Sequence, residues 1–406
     1  MLCGIDQVFG GQQSAVRRRL RGARVGVLTH SAAVDRRGRH TLAVLEELGV
    51  TPSLIFAPEH GLEAYAQAQE AVPSPNGDGG NRWPSPIVSL YGDSKASLEP
   101  TADDLSRIDV LLIDLADVGS RYYTFVWTAL LATRAAARAN VHTLVLDRPN
   151  PISGNPATLE GTPQKEGYLS FVGLEPLPVR HAMTIGELIA HFCERDGLLL
   201  GQESAVSIIP TQGWERHRTA EAWGRPFVMP SPNMPTLETA LVYPGGCLLE
   251  GTNLSEGRGT TAPFQLVGAP FLDAEALAEG LVKVGVPGAQ VRPVSFRPMF
   301  DKHAGTVCHG VMLHVTDSLF FRPVSSYLAL ITLARSQAPE AFAFRTEPYE
   351  FETLPAFDLL TGSPAAREAI EGGASPEEVA SMVALVDAAW RDVVGEAEAR
   401  LARVRA

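Results

Sequence analysis

The chain has 406 residues, of which 45% are hydrophobic and 20% are charged, and its formal net charge is −12. This length exceeds one ordinary core, so we expect two domains, and the apolar fraction is sufficient to fill both. The low charged fraction argues against disorder. The negative balance argues against binding to a nucleic-acid backbone, and the basic cluster at Arg17–Arg19 and Arg21 is interpreted as a solvated helix face.

Cysteine usage and apolar patterning bear on the compartment. The four cysteines are too far apart in the chain for a zinc site and are predicted to be buried free thiols, which are typical of a reducing compartment: Cys3, Cys193, Cys247 and Cys308. Residues 1–11 lack a basic segment followed by an apolar one, and no apolar run approaches the roughly 18 residues of a membrane span. We therefore expect a cytoplasmic protein without membrane association.

In chain order, the first half alternates short apolar runs with helical patterns. Buried strands are predicted at Arg24–His30, Ser53–Pro58, Ile87–Tyr91, Val110–Leu115, Val141–Leu146 and Ala205–Pro210. Helices are predicted at Thr41–Leu48, Phe125–Ala139 and Thr184–Glu194. This alternation predicts an α/β fold in which residues 1–240 form a Rossmann-like domain around a parallel sheet.

After the Pro/Gly-rich stretch Pro226–Gly259 the pattern changes. A helix is predicted at Ala274–Val284, strands at Gln290–Phe296 and Gly310–Val315, and a helical tail that begins with a capping box at Ser375. Apolar residues of the tail recur at helical spacing and are interpreted as core packing: Val379, Met382, Val383, Val386, Trp390 and Val393. Residues 241–406 are thus predicted to form a smaller α+β domain that completes a cleft with the first.

Polar side chains follow five of the predicted strands, where ligands bind in open parallel sheets. They include His30, Glu59 and His60, Asp114, and Asp147 with Asn150. Glu59 stands between proline and histidine at the end of an apolar strand, where partial burial suits it to general-acid work. The alternative for Asp147 is a structural ion pair with Arg148.

A second polar cluster lies at residues 250–260, where three glycines allow a close backbone approach. Glu250, Asn253, Glu256 and Arg258 of this loop suit a polyhydroxylated or anionic ligand. The alternative is a tight loop held by an internal pair between Glu256 and Arg258. Upstream, the stiff segment 230–236 contains Asn233 and is expected to form a wall of the cleft.

Several motifs of other enzyme classes are missing from the sequence. No GxGxxG follows the first strand, and GxxxxGK[ST], HExxH and GxSxG are also absent. The sequence therefore predicts chemistry by carboxylates and arginines, with no cofactor and no metal.

Motifs spread over most of the chain closely resemble one bacterial family. They are PEHG, DVGSRYYT, LDRPNP, RHAMTIGE, PSPNMPT, ALVYPGGCLLEGTNLSEGRGT and KHAG with HVTD. The family, long labelled a domain of unknown function, comprises exo-β-N-acetylmuramidases of the NamZ type. The resemblance implies a glycosidase that removes β-1,4-linked N-acetylmuramic acid from the non-reducing end of peptidoglycan fragments. It also implies a Rossmann-like domain, a smaller C-terminal domain and an active site between them.

The resemblance makes Glu59 the best candidate for the catalytic acid. A second carboxylate is also needed, and Glu256, Glu250 and Asp114 all remain possible. Further positions are expected to bind the substrate: His30, His60, Arg121, Tyr122, Asp147, Asn150, Asn233, Asn253 and Arg258. Arg258 and Arg121 are candidates for the lactyl carboxylate of the muramyl residue.

The chain departs from the family pattern beside the proposed acid. Glu63 and Ala64 replace the usual arginine-glycine pair, His30 stands where asparagine is expected, and Ala116 stands where glutamine is common. The expected ligand is a small peptidoglycan-derived saccharide or muropeptide. The change at Glu63 and Ala64 leaves an alternative, a muropeptide- or amino-sugar-binding protein that has lost turnover.

Overall fold

The computed structural model describes residues 1–72, 82–199, 205–383 and 388–405. The first half contains α1 (Gly4–Phe9), α2 (Ser14–Arg21), β1 (Val25–Thr29), α3 (Thr41–Glu47), β2 (Leu54–Ala57), β3 (Ile87–Ser89), α4 (Ala102–Ser106), β4 (Val110–Asp114), α5 (Phe125–Arg138), β5 (His142–Leu146), α6 (Ile185–Arg195) and β6 (Val206–Ile209). The second half contains α7 (Leu237–Gly246), β7 (Leu266–Ala269), α8 (Ala274–Val284), β8 (Ala289–Phe296), β9 (Cys308–Val315), α9 (Pro323–Gln337), α10 (Ala356–Thr361), α11 (Ala365–Glu371), α12 (Pro376–Ser381), α13 (Ala388–Gly395) and α14 (Ala397–Arg403).

The first sheet has six parallel strands in the order β3-β2-β1-β4-β5-β6. This is the strand order of a doubly wound Rossmann fold, and it confirms the predicted fold class. Every residue of β1, β2 and β4 is buried, as expected for strands covered by helices on both faces. The sheet thus presents the loops after its strands along one edge.

The second sheet is antiparallel, with the order β7-β9-β8. Helix α8 has the predicted bounds and packs on β8, and α9 packs against α8. The predicted strands in this region lie within β8 and β9, which begin one and two residues earlier than predicted. Strand β7 was not predicted from the sequence. The second half is therefore a small α+β unit, as expected.

A domain boundary at residue 240 stays a prediction. This position lies inside α7, and α7 packs against α9 of the second half. Buried apolar residues on one face of the first sheet also join those of the second sheet in one continuous cluster, whereas the other face of the first sheet packs in a separate cluster with α1, α2 and α3. The two halves therefore share a packed core on which a common site can be built.

The tail differs in part from the prediction. The Ser375 hydroxyl accepts a hydrogen bond from the Glu378 amide, so the predicted capping box is present. However, α12 ends at Ser381, and Met382 is 40% exposed, so its assignment to the core was wrong. Val386 lies outside the described residues. The other members of the stripe are buried or pack against the core.

Two further predictions concern thiols and membranes. All four cysteines are buried free thiols, as expected. Within the described ranges, every helix is too short or too polar to cross a membrane.

Candidate active site

A pocket lies between the carboxyl edge of the first sheet and the second half of the chain. It encloses about 480 Å³, solvent at its mouth included. The first half contributes Glu59, His60, Ala68, Tyr122, Tyr123, Thr124, Val172, Ser231, Asn233 and Met234. The second half contributes Tyr243, Glu250, Arg258, Phe264, Tyr349 and Glu350. Both halves therefore build this site, which contains three glutamates and one arginine.

Glu59 lies two residues beyond β2 and is buried at the pocket wall. One carboxylate oxygen accepts a hydrogen bond from the Thr124 hydroxyl at 2.7 Å, and the other accepts from the Gln69 amide at 3.2 Å. Thr124 directly precedes α5, so loops after two different strands hold this carboxyl group. Acceptance at both oxygens suits an ionised carboxylate.

His60 continues the same loop with a backbone φ of 70°. Its Nδ1 lies 2.8 Å from the Ala66 carbonyl, which fixes the ring on the pocket wall. A left-handed backbone is uncommon for a residue other than glycine, and such strain often marks functional sites. The turn thus positions His60 beside Glu59.

Glu350 is a pocket residue that sequence reasoning missed. Its carboxyl group is buried and accepts a hydrogen bond from the Tyr91 hydroxyl at 3.1 Å. Burial, followed by the negative charges of Glu59 and Glu250, raises the pKa of Glu350 well above its ordinary value of 4.5. The backbone is left-handed at Glu350 and again at Phe351. The site therefore holds a buried carboxyl group whose raised pKa favours its protonated form.

The loop 250–260 is held by its own charges. Arg258 lies 2.5 Å from Glu250 and 3.4 Å from Glu256, and the Tyr349 hydroxyl donates to the other oxygen of Glu250 at 2.7 Å. Glu256 also pairs with Lys302 at 2.9 Å. The alternative predicted from the sequence, an internal pair between Glu256 and Arg258, is therefore present, and Arg258 makes its shorter contact with Glu250.

Glu250 and Glu256 differ in their access to the pocket. Glu250 lines it, whereas Glu256 lies behind it, with both oxygens beside cations. Burial opposes ionisation of Glu256, but Lys302 and Arg258 hold its pKa below the ordinary value. Glu256 therefore stays an ionised structural anion, and we no longer assign it a catalytic role.

Asp114 is also withdrawn as a catalytic candidate. It ends β4, is fully buried and lies outside the pocket lining. The guanidinium of Arg148 contacts both of its oxygens, at 2.5 and 2.9 Å, and the Thr41 hydroxyl donates to it as well. Arg148 thus pairs with Asp114 rather than with Asp147, and this buried pair ties β4 to the loop after β5.

Asp147 and Asn150 stabilise the loop after β5 instead of lining the pocket. Asp147 accepts hydrogen bonds from the Thr184 hydroxyl and the Gly186 amide, both at 2.8 Å, and so caps the start of α6. Burial raises the pKa of Asp147 to about 7. Asn150 donates to the Met183 carbonyl at 3.0 Å. Their predicted contact with substrate is therefore not supported by their positions.

Three other predicted binding residues are used inside the protein. Arg121 is fully buried, and its guanidinium donates to the carbonyls of residues 162, 177 and 360. His30 is fully buried and accepts from the Ala116 amide at 2.9 Å, and burial holds its pKa well below 6.5. Asn253 bonds to the backbone of residues 341 and 343. None of the three lines the pocket.

The departure from the family pattern lies beside the pocket rather than in it. Glu63 is exposed, and Ala64 adopts a φ of 52°, a conformation that glycine adopts without strain. Neither residue lines the pocket. The change at Glu63 and Ala64 therefore no longer supports the alternative of a binding protein that has lost turnover.

The pocket and the fold together define a class of protein. A buried carboxyl group with a raised pKa lies in one pocket with a second carboxyl group that accepts hydrogen bonds at both oxygens. In a Rossmann-like protein this pair suits acid–base hydrolysis of a small ligand. Among the described residues, no group of three or more His, Cys, Asp or Glu side chains could hold a metal ion.

Sequence comparison identifies the family. Residues 25–238 match the N-terminal domain of the exo-β-N-acetylmuramidase NamZ family, and residues 241–396 match its C-terminal domain. The chain therefore belongs to this family.

Similar proteins agree with this assignment. The chain is 40% identical over 364 residues to the peptidoglycan β-N-acetylmuramidase NamZ of Bacillus subtilis (strain 168), covering 89% of this chain and 83% of that protein. Two crystal structures of DUF1343 family proteins from Bacteroides fragilis NCTC 9343 have the same fold. One has a TM-score of 0.81 at 27% identity, covering 99% of this chain and 98% of the other. The second has a TM-score of 0.68 at 26% identity, covering 100% and 98%.

Proposed function

We propose that this chain releases β-1,4-linked N-acetylmuramic acid from the non-reducing ends of peptidoglycan fragments. Membership of the family makes it a glycoside hydrolase, and the Bacillus relative is a peptidoglycan β-N-acetylmuramidase. The observation that carries the proposal is the pocket in which Glu59 and Glu350 lie together. Cytoplasmic localisation stays a prediction.

The two carboxyl groups differ in a way that glycoside cleavage requires. One protonated acid must protonate the leaving oxygen, and a second carboxylate must act as base or nucleophile. Burial and the neighbouring carboxylates raise the pKa of Glu350, which favours its protonated form, whereas Glu59 accepts hydrogen bonds at both oxygens. We therefore assign Glu350 as the acid and Glu59 as the ionised partner. This reverses the sequence-based expectation that Glu59 is the acid.

The substrate carries a carboxylate of its own, on the lactyl group. Arg258 is the one lysine or arginine among the described residues that line the pocket. Its Nη2 and Nε face Glu250 and Glu256, while the ion pair of its Nη1 within the described residues is with Asp301, at the longer distance of 3.9 Å. We propose that Nη1 receives the lactyl carboxylate through a charge-assisted hydrogen bond. Asn233, on the opposite wall, would then contact the sugar.

The test of function is the release of free N-acetylmuramic acid from the disaccharide N-acetylmuramyl-β-1,4-N-acetylglucosamine. Wild type should release it, and Glu59→Gln and Glu350→Gln should each lower kcat by about 100-fold or more. Glu275→Gln is the control, since Glu275 is exposed and lies outside the pocket lining. If wild type binds the disaccharide without releasing either sugar, the proposed activity is wrong.

The roles of the two carboxyl groups are separated by the leaving group. An aryl muramide made from an acidic phenol releases its phenolate without protonation by the enzyme. Glu350→Gln should therefore lose far less activity on this substrate than on the disaccharide. Glu59→Gln should lose activity on both substrates alike. The reverse pattern would return the acid role to Glu59.

A further inference from the structure

A second cavity lies beside the pocket as an open groove. It encloses about 1080 Å³, solvent included, against 480 Å³ for the pocket. Two apolar side chains of its wall are left open to solvent, Met299 at 74% and Phe300 at 42% exposure. Exposed apolar surface in a groove is typical of a binding site.

The groove continues directly from the pocket. Asn233 lines both cavities, and its side-chain amide donates to Gln67 in the groove at 2.7 Å. Arg258 lines the pocket, and the next two residues, Gly259 and Thr260, line the groove. A ligand that extends out of the pocket past Asn233 therefore enters the groove.

The apolar wall of the groove is fixed by backbone packing. The Met299 amide donates to the Gly259 carbonyl at 3.0 Å. Gly259 has a φ of 76°, and a Cβ atom there would lie 2.6 Å from the Phe300 nitrogen. The backbone of the wall is thus held in place before a ligand arrives, which lowers the entropic cost of binding.

We propose that this groove binds the leaving group of the reaction, the N-acetylhexosamine next to the terminal muramyl residue. The inference rests on the proposed function and extends it to a second sugar subsite. The apolar face of the pyranose ring would pack on Phe300 and Met299, while Gln67 supplies an amide for the hydroxyl and acetamido groups. The guanidinium of Arg297, which also lines the groove, would donate hydrogen bonds to the sugar, because Arg297 has no ion pair in the ranges that the structure describes.

The first experiment compares kcat/KM for two substrates. One is the disaccharide N-acetylmuramyl-β-1,4-N-acetylglucosamine, and the other is β-N-acetylmuramyl fluoride, whose one-atom leaving group is too small to occupy the groove. Phe300→Ala should lower the ratio of the two kcat/KM values, disaccharide over fluoride, by about three- to tenfold. The matched control is Phe320→Ala, since Phe320 is 68% exposed and lies outside the groove lining.

An unchanged ratio in Phe300→Ala, or an equal fall in Phe320→Ala, would overturn the groove as the leaving-group subsite. A binding measurement keeps this result apart from failure of the proposed function. Calorimetric titration of the disaccharide into Glu59→Gln should give a Kd that rises about three- to tenfold when Phe300→Ala is added. If wild type cleaves neither substrate, the proposed function fails, and this change in Kd alone decides whether the groove binds the sugar.

Discussion

Replacing Gly259 by alanine should destabilise the protein more than the same change at Gly305. Both glycines have left-handed backbones, with φ values of 76° and 74°. A Cβ atom at Gly305 would meet nothing within 4 Å, whereas one at Gly259 would lie 2.6 Å from the Phe300 nitrogen. Gly305→Ala thus measures the backbone cost alone, and Gly259→Ala adds a collision with the wall of the groove.

The two costs can be separated. The left-handed conformation costs alanine about 1–2 kcal/mol, and lower chain entropy in the unfolded state returns about 0.4–1 kcal/mol. Overpacking adds about 1–3 kcal/mol at Gly259. The expected difference of about 2 kcal/mol corresponds to about 4–8 °C in the midpoint of thermal unfolding for a unit of 150–250 residues. Calorimetry on both variants measures it, and equal midpoints would refute the close approach at Gly259.

Three further predictions concern buried charge and the family departure. The pKa of Glu350 is raised in the native protein above its unfolded value of about 4.5, so native stability falls as pH rises from that value toward the native pKa. The stability of Glu350→Gln relative to wild type should therefore increase over this range in urea titrations, and a constant difference would contradict this. Arg148→Met should cost about 3–5 kcal/mol in thermal unfolding, because it leaves Asp114 buried without its cation; adding Asp114→Leu should recover part of the loss, and a variant as stable as wild type would refute the pairing. Glu63→Arg with Ala64→Gly should change kcat/KM on the disaccharide by no more than about twofold, as for surface substitutions; a tenfold gain would show that this loop controls turnover.

Much of the first sheet could be predicted from the sequence, because buried parallel strands are continuous apolar runs. The predicted strand Val110–Leu115 is one residue longer than β4. The predicted helix Phe125–Ala139 is likewise one residue longer than α5. Strand β7 was missed because its four residues include a glycine and show no alternation. Short antiparallel strands depend on pairing with distant segments, which local patterns do not record.

The site was less predictable because its charges are balanced by distant residues. Glu59 could be found because it directly follows an apolar strand. Asp114 and Glu256 looked equally reactive, but their cations, Arg148 and Lys302, lie 34 and 46 residues away in the chain. Glu350 lies 259 residues from its hydrogen-bond partner Tyr91. Its place in the pocket therefore depends on the tertiary fold, which local sequence patterns do not specify.

The most direct test of the proposed function is hydrolysis of a chromogenic β-N-acetylmuramide by wild type and Glu59→Gln, with the corresponding β-N-acetylglucosaminide as the control substrate. We predict that wild type cleaves the muramide alone, because Arg258 receives the lactyl carboxylate that the glucosaminide lacks. Activity should fall by orders of magnitude in Glu59→Gln. Equal cleavage of both sugars would contradict the assigned specificity, and full activity in Glu59→Gln would contradict the assigned site.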